Sequence, residues 1–243
     1  MENLKTIILA AGKGTRMRTD GSELPKVMRL ALGKPLISYV LAAAPGEPII
    51  VVGYMKETVM SAFPGYRFAV QEEQKGTGHA VMCAAPELEG FSGDVLILCG
   101  DTPLVTRETL EGLVTLHRER KNDCTVLAGA SETPMPGLGR VKRSPDGTFI
   151  KIVEERDCTP EEREIKEYNS GIYVFNAEKL LTALAGLRTD NAQGEYYLTD
   201  APYVMLARGD KVGVCVRDMG AELLGVNTPE QLKEAETELE ARK

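Results

Sequence analysis

The stretch IILAAGKGTRM, residues 7 to 17, decides the fold class of this chain. It begins with an apolar, partly β-branched run that has the length of a strand covered on both faces, and Gly12 ends that run abruptly. Lys13 and Arg16 then bring two cations to glycines whose backbone N–H groups can turn toward a negative charge. The stretch predicts a strand that opens into an anion-binding loop, and a glycine-containing turn with solvated cations is the alternative.

This loop does not match either of two common phosphate-binding motifs. A Walker A loop requires Ser or Thr after Gly-Lys, and this chain has Gly14 there. The dinucleotide fingerprint requires a third glycine, and this chain has Met17 there. The motif therefore does not indicate a P-loop kinase or a dinucleotide-dependent enzyme.

The composition is that of an acidic globular protein. The 243 residues are 43% hydrophobic and 27% charged, and the formal net charge is -7. This balance does not favour a nucleic-acid partner, so a phosphate-bearing ligand would be met by a local group of cations. The cysteines are widely spaced without a C-x-x-C pair, which is typical of reduced thiols in the cytoplasm. We expect a cytoplasmic protein without a secretory leader or a membrane partner, because no apolar run approaches the roughly 18 residues of a membrane span.

Strand and helix patterns alternate through the first half of the chain. Helical patterns such as PLISYVLAAA separate apolar runs that are bounded by turn residues: TIILA, IIVVG, RFAVQ, DVLILCG and CTVLAGA. This alternation predicts an α/β fold with a mostly parallel central sheet flanked by helices.

The pattern changes after residue 130. GRVKRSPDGTFIKIVEE predicts two short strands around a Pro-Asp-Gly turn, and TPEQLKEAETELEARK predicts a capped, charged helix at the end of the chain. We therefore predict one domain over residues 1–229, with a first half at about 1–130, a smaller β-rich half at about 131–229, and a separate helix at 230–243.

Ligands of open α/β sheets bind beyond the carboxyl ends of the strands, so the residues that follow IILA, AVQ and LILCG should converge on one crevice. The segment QEEQKGTGHA follows one of these strands, and its amides and backbone groups suit the edge of a base. Lys26, in LPKV, lies near the first loop and is either a phosphate ligand or a surface lysine. For His79 a structural hydrogen bond is favoured over catalysis.

Asp101 follows the strand LILCG, where the scaffold would hold a carboxylate rigidly for a metal ion. A helix cap is the alternative, although TRETL supplies a cap of its own. Gly139, Glu154 and Asn169 fall on short strands or their ends, and their groups suit the hydroxyls of a sugar. Asn227 stands before a helix that Thr228 could cap, so a purely structural role is open for it.

The ordered motifs LAAGKGTRM, LPKV, EQKGTGHA, GDTPL, YNSGIYVFN, NAQGEYYLTD and VNTPEQL resemble a known family. The chain is similar, from residue 4 to about 232, to the uridylyltransferase domains of the bacterial bifunctional N-acetylglucosamine-1-phosphate uridylyltransferases and glucosamine-1-phosphate acetyltransferases. This resemblance to the sugar nucleotidyltransferase superfamily implies a Rossmann-like fold of the GT-A type, with a small β-rich sugar-binding subdomain. It implies that the half at about 1–130 binds the nucleotide, that the half at about 131–229 binds the sugar, and that the helix at 230–243 resembles the family's linker.

The resemblance also implies roles for individual residues. Those implied to bind the nucleotide are Ala10, Ala11, Gly12, Gly14, Gln71, Gln74, Gly76 and Thr77. The catalytic cations on the UTP phosphates are Arg16 and Lys26, and the ligands of an essential Mg²⁺ are Asp101 and Asn227. Those implied to surround the sugar are Gly139, Glu154, Asn169, Tyr196 and Thr199.

The implied reaction is transfer of a uridylyl group from UTP to N-acetylglucosamine 1-phosphate, a step toward peptidoglycan and the cell wall. Another sugar 1-phosphate or nucleotide is an alternative, and so is a non-catalytic sensor of sugar nucleotides. The family's acetyltransferase β-helix does not follow LKEAETELEARK in this sequence, so we expect no acetyl transfer from it. The sequence is either part of a longer protein or a free-standing transferase, and without the trimerising domain a monomer is preferred.

Overall fold

The apolar run of the first motif forms a strand at the centre of the sheet. A computed structural model describes residues 1–14, 17, 24–218 and 220–243. In it, Ile7 and Ile8 of the first strand point to opposite faces of the sheet, and both are 0% exposed. The prediction of a strand covered on both faces is confirmed.

The strands are β1 (Leu4–Ala10), β2 (Leu30–Ala31), β3 (Lys34–Pro35), β4 (Glu47–Val52), β5 (Arg67–Val70), β6 (Asp94–Cys99), β7 (Cys124–Ala130), β8 (Arg140–Arg143), β9 (Phe149–Val153), β10 (Glu167–Asn176) and β11 (Val212–Asp218). Within the described residues, nine of them form one sheet with the main order β11-β7-β10-β6-β1-β4-β5. The β8–β9 hairpin joins this sheet through β10, while β2 and β3 pair separately. The hairpin is the one predicted from the Pro-Asp-Gly turn.

Parallel pairing links β1 to β4 and β6, β4 to β5, and β7 to β11. By contrast, β10 runs antiparallel to its neighbours β6 and β7. The predicted α/β class and its helix-flanked, mainly parallel sheet are confirmed, and β10 makes the sheet mixed. The division of the chain near residue 130 stays a prediction, since the sheet contains strands from both sides of it.

The helices are α1 (Leu36–Ala43), α2 (Lys56–Ala62), α3 (Thr77–Ala84), α4 (Arg107–Glu119), α5 (Pro160–Arg163), α6 (Ala177–Leu184), α7 (Ala201–Ala207) and α8 (Pro229–Ala241). Apolar residues of α3, α6 and α7 share a buried cluster with Ile7, and those of α1 and α4 share another with Ile8. Helices therefore cover both faces of the sheet, which leaves the ends of its strands to form sites. In the described part of the chain no helix is long and apolar enough to cross a membrane.

The C-terminal helix α8 begins where the sequence predicts. The Thr228 side chain accepts a hydrogen bond from the Gln231 backbone N–H, which caps the helix. Ala235 is 0% exposed and packs in a third buried cluster with Leu36, Leu104 and Val226. This narrow apolar contact holds an otherwise charged helix beside the loop that contains Asn227.

Candidate active site

A cleft of about 520 Å³ lies beyond the carboxyl ends of β1, β5 and β6. Its lining includes all the residues predicted to bind a nucleotide: Ala10, Ala11, Gly12, Gly14, Gln71, Gln74, Gly76 and Thr77. Lys13, Lys26 and Asp101 line the same cleft. The loops expected to converge at this sheet edge therefore do so, while the role of each residue stays a prediction.

The glycine loop after β1 passes very close to Lys26. Gly14 has a φ of +59°, and a Cβ built on it would lie 2.5 Å from the Lys26 Cβ. A side chain at this position would force the loop away from Lys26, so only glycine fits here without a shift. Arg16, which the sequence predicts beside Lys26, lies outside the described residues.

The loop after β5 is held by hydrogen bonds of its own glutamines. Gln71 is 3% exposed, and its Nε2 donates to the Gly76 carbonyl oxygen over 3.0 Å. Gln74 Nε2 donates to the Gln71 carbonyl oxygen over 3.2 Å. These bonds close the loop into a compact wall of the cleft with its backbone groups fixed in place.

Residues 195–198 hold this wall from the other side. The Gly78 N–H donates to the Tyr196 carbonyl oxygen, 2.8 Å away, and the Leu198 N–H donates to Thr77 Oγ1, 3.0 Å away. Gly76 has a φ of +103°, and a Cβ on it would lie 2.5 Å from that same Tyr196 oxygen. The close contact explains why glycine stands at the N-cap of α3.

Lys26, Asp101 and Asn227 meet at one point of the cleft edge. The Lys26 ammonium forms an ion pair with Asp101 Oδ2 and donates to Asn227 Oδ1, 2.9 Å away. The Val226 N–H donates to the Asp101 carbonyl oxygen over 2.8 Å, which brings the loop before α8 to the end of β6. Two oxygens from residues far apart in the sequence thus face the same positive charge.

The following helices take their caps from other side chains. Thr106 caps α4, and Thr228 caps α8. Asp101 is therefore not needed to cap a helix, because the helix that follows it in the sequence has Thr106 at its N-cap.

The oxygens of Asp101 and Asn227 are of the kind that Mg²⁺ prefers. Their convergence on one ammonium group shows that both reach a single cationic centre. Among the described residues, no group of three or more His, Cys, Asp or Glu side chains could hold a metal. A carboxylate oxygen and an amide oxygen that reach one cationic centre fit an Mg²⁺ ion that takes its remaining ligands from phosphate and water.

A second cavity of about 290 Å³ adjoins the cleft. The residues that line both are Leu9, Thr77, Cys99 and Asp101. Of the predicted sugar-binding residues, those in its wall are Gly139, Glu154, Asn169 and Thr199. Two ligands, one in each space, would therefore meet beside Asp101.

Polar contacts hold the side chains of this second cavity. Thr199 Oγ1 donates to Glu154 Oε1, 2.9 Å away, and burial raises the pKa of the Glu154 carboxyl. Asn169 Nδ2 donates to the Tyr173 hydroxyl, 2.8 Å away. The cavity thus offers fixed acceptors and donors, which is the kind of wall that orients a polar ligand.

The structure does not bring Tyr196 into this cavity. Its side chain lines a separate groove of about 530 Å³ with Lys75, His79 and Leu187. Its ring stacks on the His79 ring with the centroids 6.4 Å apart. The backbone of Tyr196 shapes the cleft through Gly78, and Glu195 is the residue beside it that lines the cleft.

Several residues of the second cavity were not among the predicted site residues, and those with a polar or thiol side chain beside the predicted ones include Cys99, Ser170 and Tyr173. Burial raises the pKa of the Cys99 thiol to about 12, so this group is a neutral donor, and it contacts the Gly171 carbonyl oxygen over 3.7 Å. The register of β10 shifts between Asn169 and Ile172, which turns this part of the strand toward the cavity. The glycine inside the YNSGIYVFN strand pattern is the signal that indicates such an irregularity.

Known proteins share this architecture and sequence. The MobA-like NTP transferase domain family matches residues 6–202. The protein named Bifunctional protein GlmU from Geobacter sulfurreducens is 46% identical over 242 residues, which are 97% of this chain and 50% of that protein. The protein of the same name from Streptococcus suis is 43% identical over 247 residues, 100% of this chain and 53% of that protein. The chain thus spans about half the length of these curated relatives, and the resemblance predicted from its motifs is confirmed.

A solved structure supports the fold. The crystal structure of UDP-glucose pyrophosphorylase complexed with UDP-glucose superposes with a TM-score of 0.73, covering 98% of this chain and 99% of that one. The two sequences are 18% identical, so this likeness is one of fold, and it confirms the predicted nucleotidyltransferase fold.

Proposed function

This chain belongs to the MobA-like NTP transferase domain family, and we propose that it transfers a uridylyl group from UTP to N-acetylglucosamine 1-phosphate. The products are UDP-N-acetylglucosamine and pyrophosphate. One observation carries the proposal: the cleft with the predicted nucleotide-binding residues adjoins the cavity with four of the five predicted sugar-binding residues, and Asp101 lines both. The identity to the bifunctional relatives supports the choice of substrates.

In the proposed reaction, a phosphate oxygen of the sugar 1-phosphate attacks the α-phosphorus of UTP. A new P–O bond forms, the bond from the α-phosphorus to the bridging oxygen breaks, and pyrophosphate leaves with that electron pair. The attacking oxygen is already anionic near neutral pH, so no side chain has to remove a proton. Cys99 lies where the two substrates would meet, and its high pKa keeps it a neutral thiol rather than a nucleophile.

The work left to the protein is to align two anions and to offset their charge. Lys26 supplies one cation at the shared edge, and Arg16 is proposed as another from the motif alone. A Mg²⁺ ion held by Asp101 and Asn227 would neutralise phosphate charge at the same edge when bound. Asp101 and Asn227 also fix the Lys26 ammonium, so its charge is oriented before substrate arrives.

The sugar is assigned to the second cavity. Glu154 and Asn169 present polar groups whose positions are set by Thr199 and Tyr173. Such groups would pair with sugar hydroxyls and hold the phosphate end toward Asp101. We propose the division of labour predicted from the sequence, with a nucleotide-binding first half and a sugar-binding second half.

A screen of pyrophosphate release tests the proposal. Each of four nucleoside triphosphates is combined with N-acetylglucosamine 1-phosphate, glucosamine 1-phosphate and glucose 1-phosphate, with and without Mg²⁺. We expect UTP with N-acetylglucosamine 1-phosphate to have a kcat/KM at least about tenfold above every other pair, and only with the metal present. A different best pair would correct the substrates, and nucleotide binding without turnover would indicate a sensor instead of an enzyme.

A further inference from the structure

His79 is the third residue of α3 and has no part in the mechanism above. It lines the separate groove together with Lys75 and Tyr196, and it contacts Gln71, which lines the nucleotide cleft. On the cleft side, His79 Nδ1 lies 3.1 Å from Nε2 of the Gln71 amide. The histidine is thus in direct contact with a buried glutamine that the resemblance to the uridylyltransferases implies binds the nucleotide.

The orientation of the Gln71 amide follows from its other neighbour. The Gly76 carbonyl oxygen can only accept hydrogen bonds, so the amide atom 3.0 Å from it must be the nitrogen. The same nitrogen faces His79 Nδ1, which must therefore act as an acceptor. An acceptor at Nδ1 makes His79 a neutral imidazole with its proton on Nε2.

The opposite edge of the ring agrees with that tautomer. His79 Nε2 lies 4.0 Å from Cys83 Sγ, and burial raises the pKa of the Cys83 thiol. A neutral sulfur is a weak acceptor that tolerates an N–H beside it. Stacking against the Tyr196 ring further limits how the imidazole can turn.

Both hydrogens of the Gln71 amide are thus directed at protein acceptors. The Gln71 side chain therefore has only its Oε1 oxygen left for a ligand, and this atom can only accept hydrogen bonds. Placed opposite N3 of the base, this oxygen distinguishes the two pyrimidines, because uracil presents an N3–H donor there. Cytosine has an unprotonated N3 that would repel the oxygen, and its donor on this edge is the N4 amino group. The fixed amide therefore suits uracil.

We propose that His79 is a positioning residue that selects uracil over cytosine by holding the Gln71 amide with its carbonyl oxygen available to the base. This inference rests on the proposed function in requiring that the cleft binds a pyrimidine nucleotide with its base against Gln71. It does not depend on catalysis, so binding can test it.

The experiment measures the affinities of UTP and CTP by calorimetry with Mg²⁺, on the wild-type chain and two variants. His79→Phe keeps a ring against Tyr196 but has no acceptor, while His79→Asn has a short side chain whose oxygen can replace Nδ1 as the acceptor. We expect His79→Phe to reduce the UTP-to-CTP affinity ratio about tenfold, the effect of one hydrogen bond, and His79→Asn to restore most of it. Loss of packing alone would not be rescued by the smaller Asn.

A spectrum of the ring nitrogens gives a second readout that needs no ligand. In the ¹⁵N-labelled wild-type chain we expect Nδ1 to be unprotonated and Nε2 protonated, and a proton on Nδ1 would overturn the inference. An unchanged affinity ratio in His79→Phe, or a wild-type chain that binds UTP and CTP equally, would overturn it as well. A wild-type chain that binds UTP more tightly than CTP but releases no pyrophosphate would contradict the proposed reaction, while the role of His79 would remain supported.

Discussion

Lys13 and Lys26 both line the nucleotide cleft, but their surroundings differ. Lys13 is exposed, whereas the Lys26 side chain is 17% exposed and contacts Asp101 and Asn227. We expect Lys26→Ala to lower kcat for pyrophosphate release about 10²-fold, because a preorganised charge is lost, and Lys13→Ala to lower it less than about threefold. Steady-state kinetics measures both, with melting temperatures as the check on folding. Equal losses of kcat in the two variants would mean that the assignment of the catalytic charge to Lys26 is wrong.

Asp101 is the residue on which the metal assignment depends. Asp101→Asn keeps the size of the side chain, and the hydrogen bond from Val226 goes to the backbone, so the fold should survive. We expect Mg²⁺-dependent pyrophosphate release to fall at least about 10²-fold, because a neutral amide is a weaker metal ligand than a carboxylate. Asp190→Asn, at an exposed position, is the matched control and should keep full activity. Unchanged Mg²⁺ dependence in Asp101→Asn would remove the assignment.

The location of a single residue was predictable where its position relative to a strand is enough to determine it. Asp101 closely follows the buried strand β6, and a parallel sheet brings a residue at the carboxyl end of such a strand to the ligand edge. Tyr196 was not predictable in this way, because the sequence does not indicate whether its side chain or its backbone faces the cleft. Cys99 was not predicted as a site residue, because a cysteine at the end of an apolar run carries no local signal of a cavity beside it.

At the scale of elements, the turn into α3 joins the two sides of the site. Gly76→Ala would set a Cβ against the Tyr196 carbonyl oxygen at a φ of +103°. We expect a loss of about 1–3 kcal/mol in the free energy of unfolding, measured with urea, and UTP affinity at least about tenfold weaker.

Gly65→Ala is the matched control for this turn. Gly65 is exposed, and a Cβ on it would meet nothing within 4 Å. Its substitution should leave both unfolding and UTP binding unchanged. If Gly76→Ala behaved in the same way, the contact with Tyr196 would not be holding the loop.

The elements themselves were largely predictable from local signals. Apolar runs gave β1, β4 and β6, and the Pro-Asp-Gly turn gave the β8–β9 hairpin. The contact between α3 and residues 196–198 was not predictable, because more than a hundred residues separate the partners and no local pattern records their pairing.

For the whole molecule, Asp94 links strand, helix and N-terminal segment. It begins β6 and contacts Arg118 and His117 of α4, while Arg118 also donates to the Glu2 carbonyl oxygen. Burial works to raise the pKa of Asp94, but the contacts with His117 and Arg118 outweigh it, and the pKa is lowered. A lowered pKa means that this carboxylate stabilises the fold above its unfolded pKa and ceases to do so as the pH falls through the folded value.

We therefore expect Asp94→Asn to be less stable than wild type at pH 7 by about 1 kcal/mol, a modest figure because Arg118 is partly exposed. The difference should shrink steadily below about pH 4, where the wild-type carboxyl takes up its proton. Urea unfolding at several pH values measures it. Glu89→Gln, which removes one exposed charge, should show no such trend, and a pH-independent deficit in Asp94→Asn would contradict the linkage.

The fold class was predictable from the alternation of strands and helices, but the order of the sheet was not. Nothing local in YNSGIYVFN indicates that β10 lies antiparallel between β6 and β7. Strand order depends on which edges remain free once the parallel strands have paired, and that is a property of the assembled molecule.

The position of β10 has a consequence for synthesis on the ribosome. Because β10 ends at residue 176, the edges of β6 and β7 that it joins stay unpaired until that residue leaves the ribosome, which takes on the order of 10 s at ordinary elongation rates. During that interval the unpaired strand edges of the nascent chain can form hydrogen bonds with strands of other chains. Premature termination near residue 130 should therefore yield aggregates instead of a smaller folded protein, and recovery of a soluble, cooperatively melting fragment would refute this.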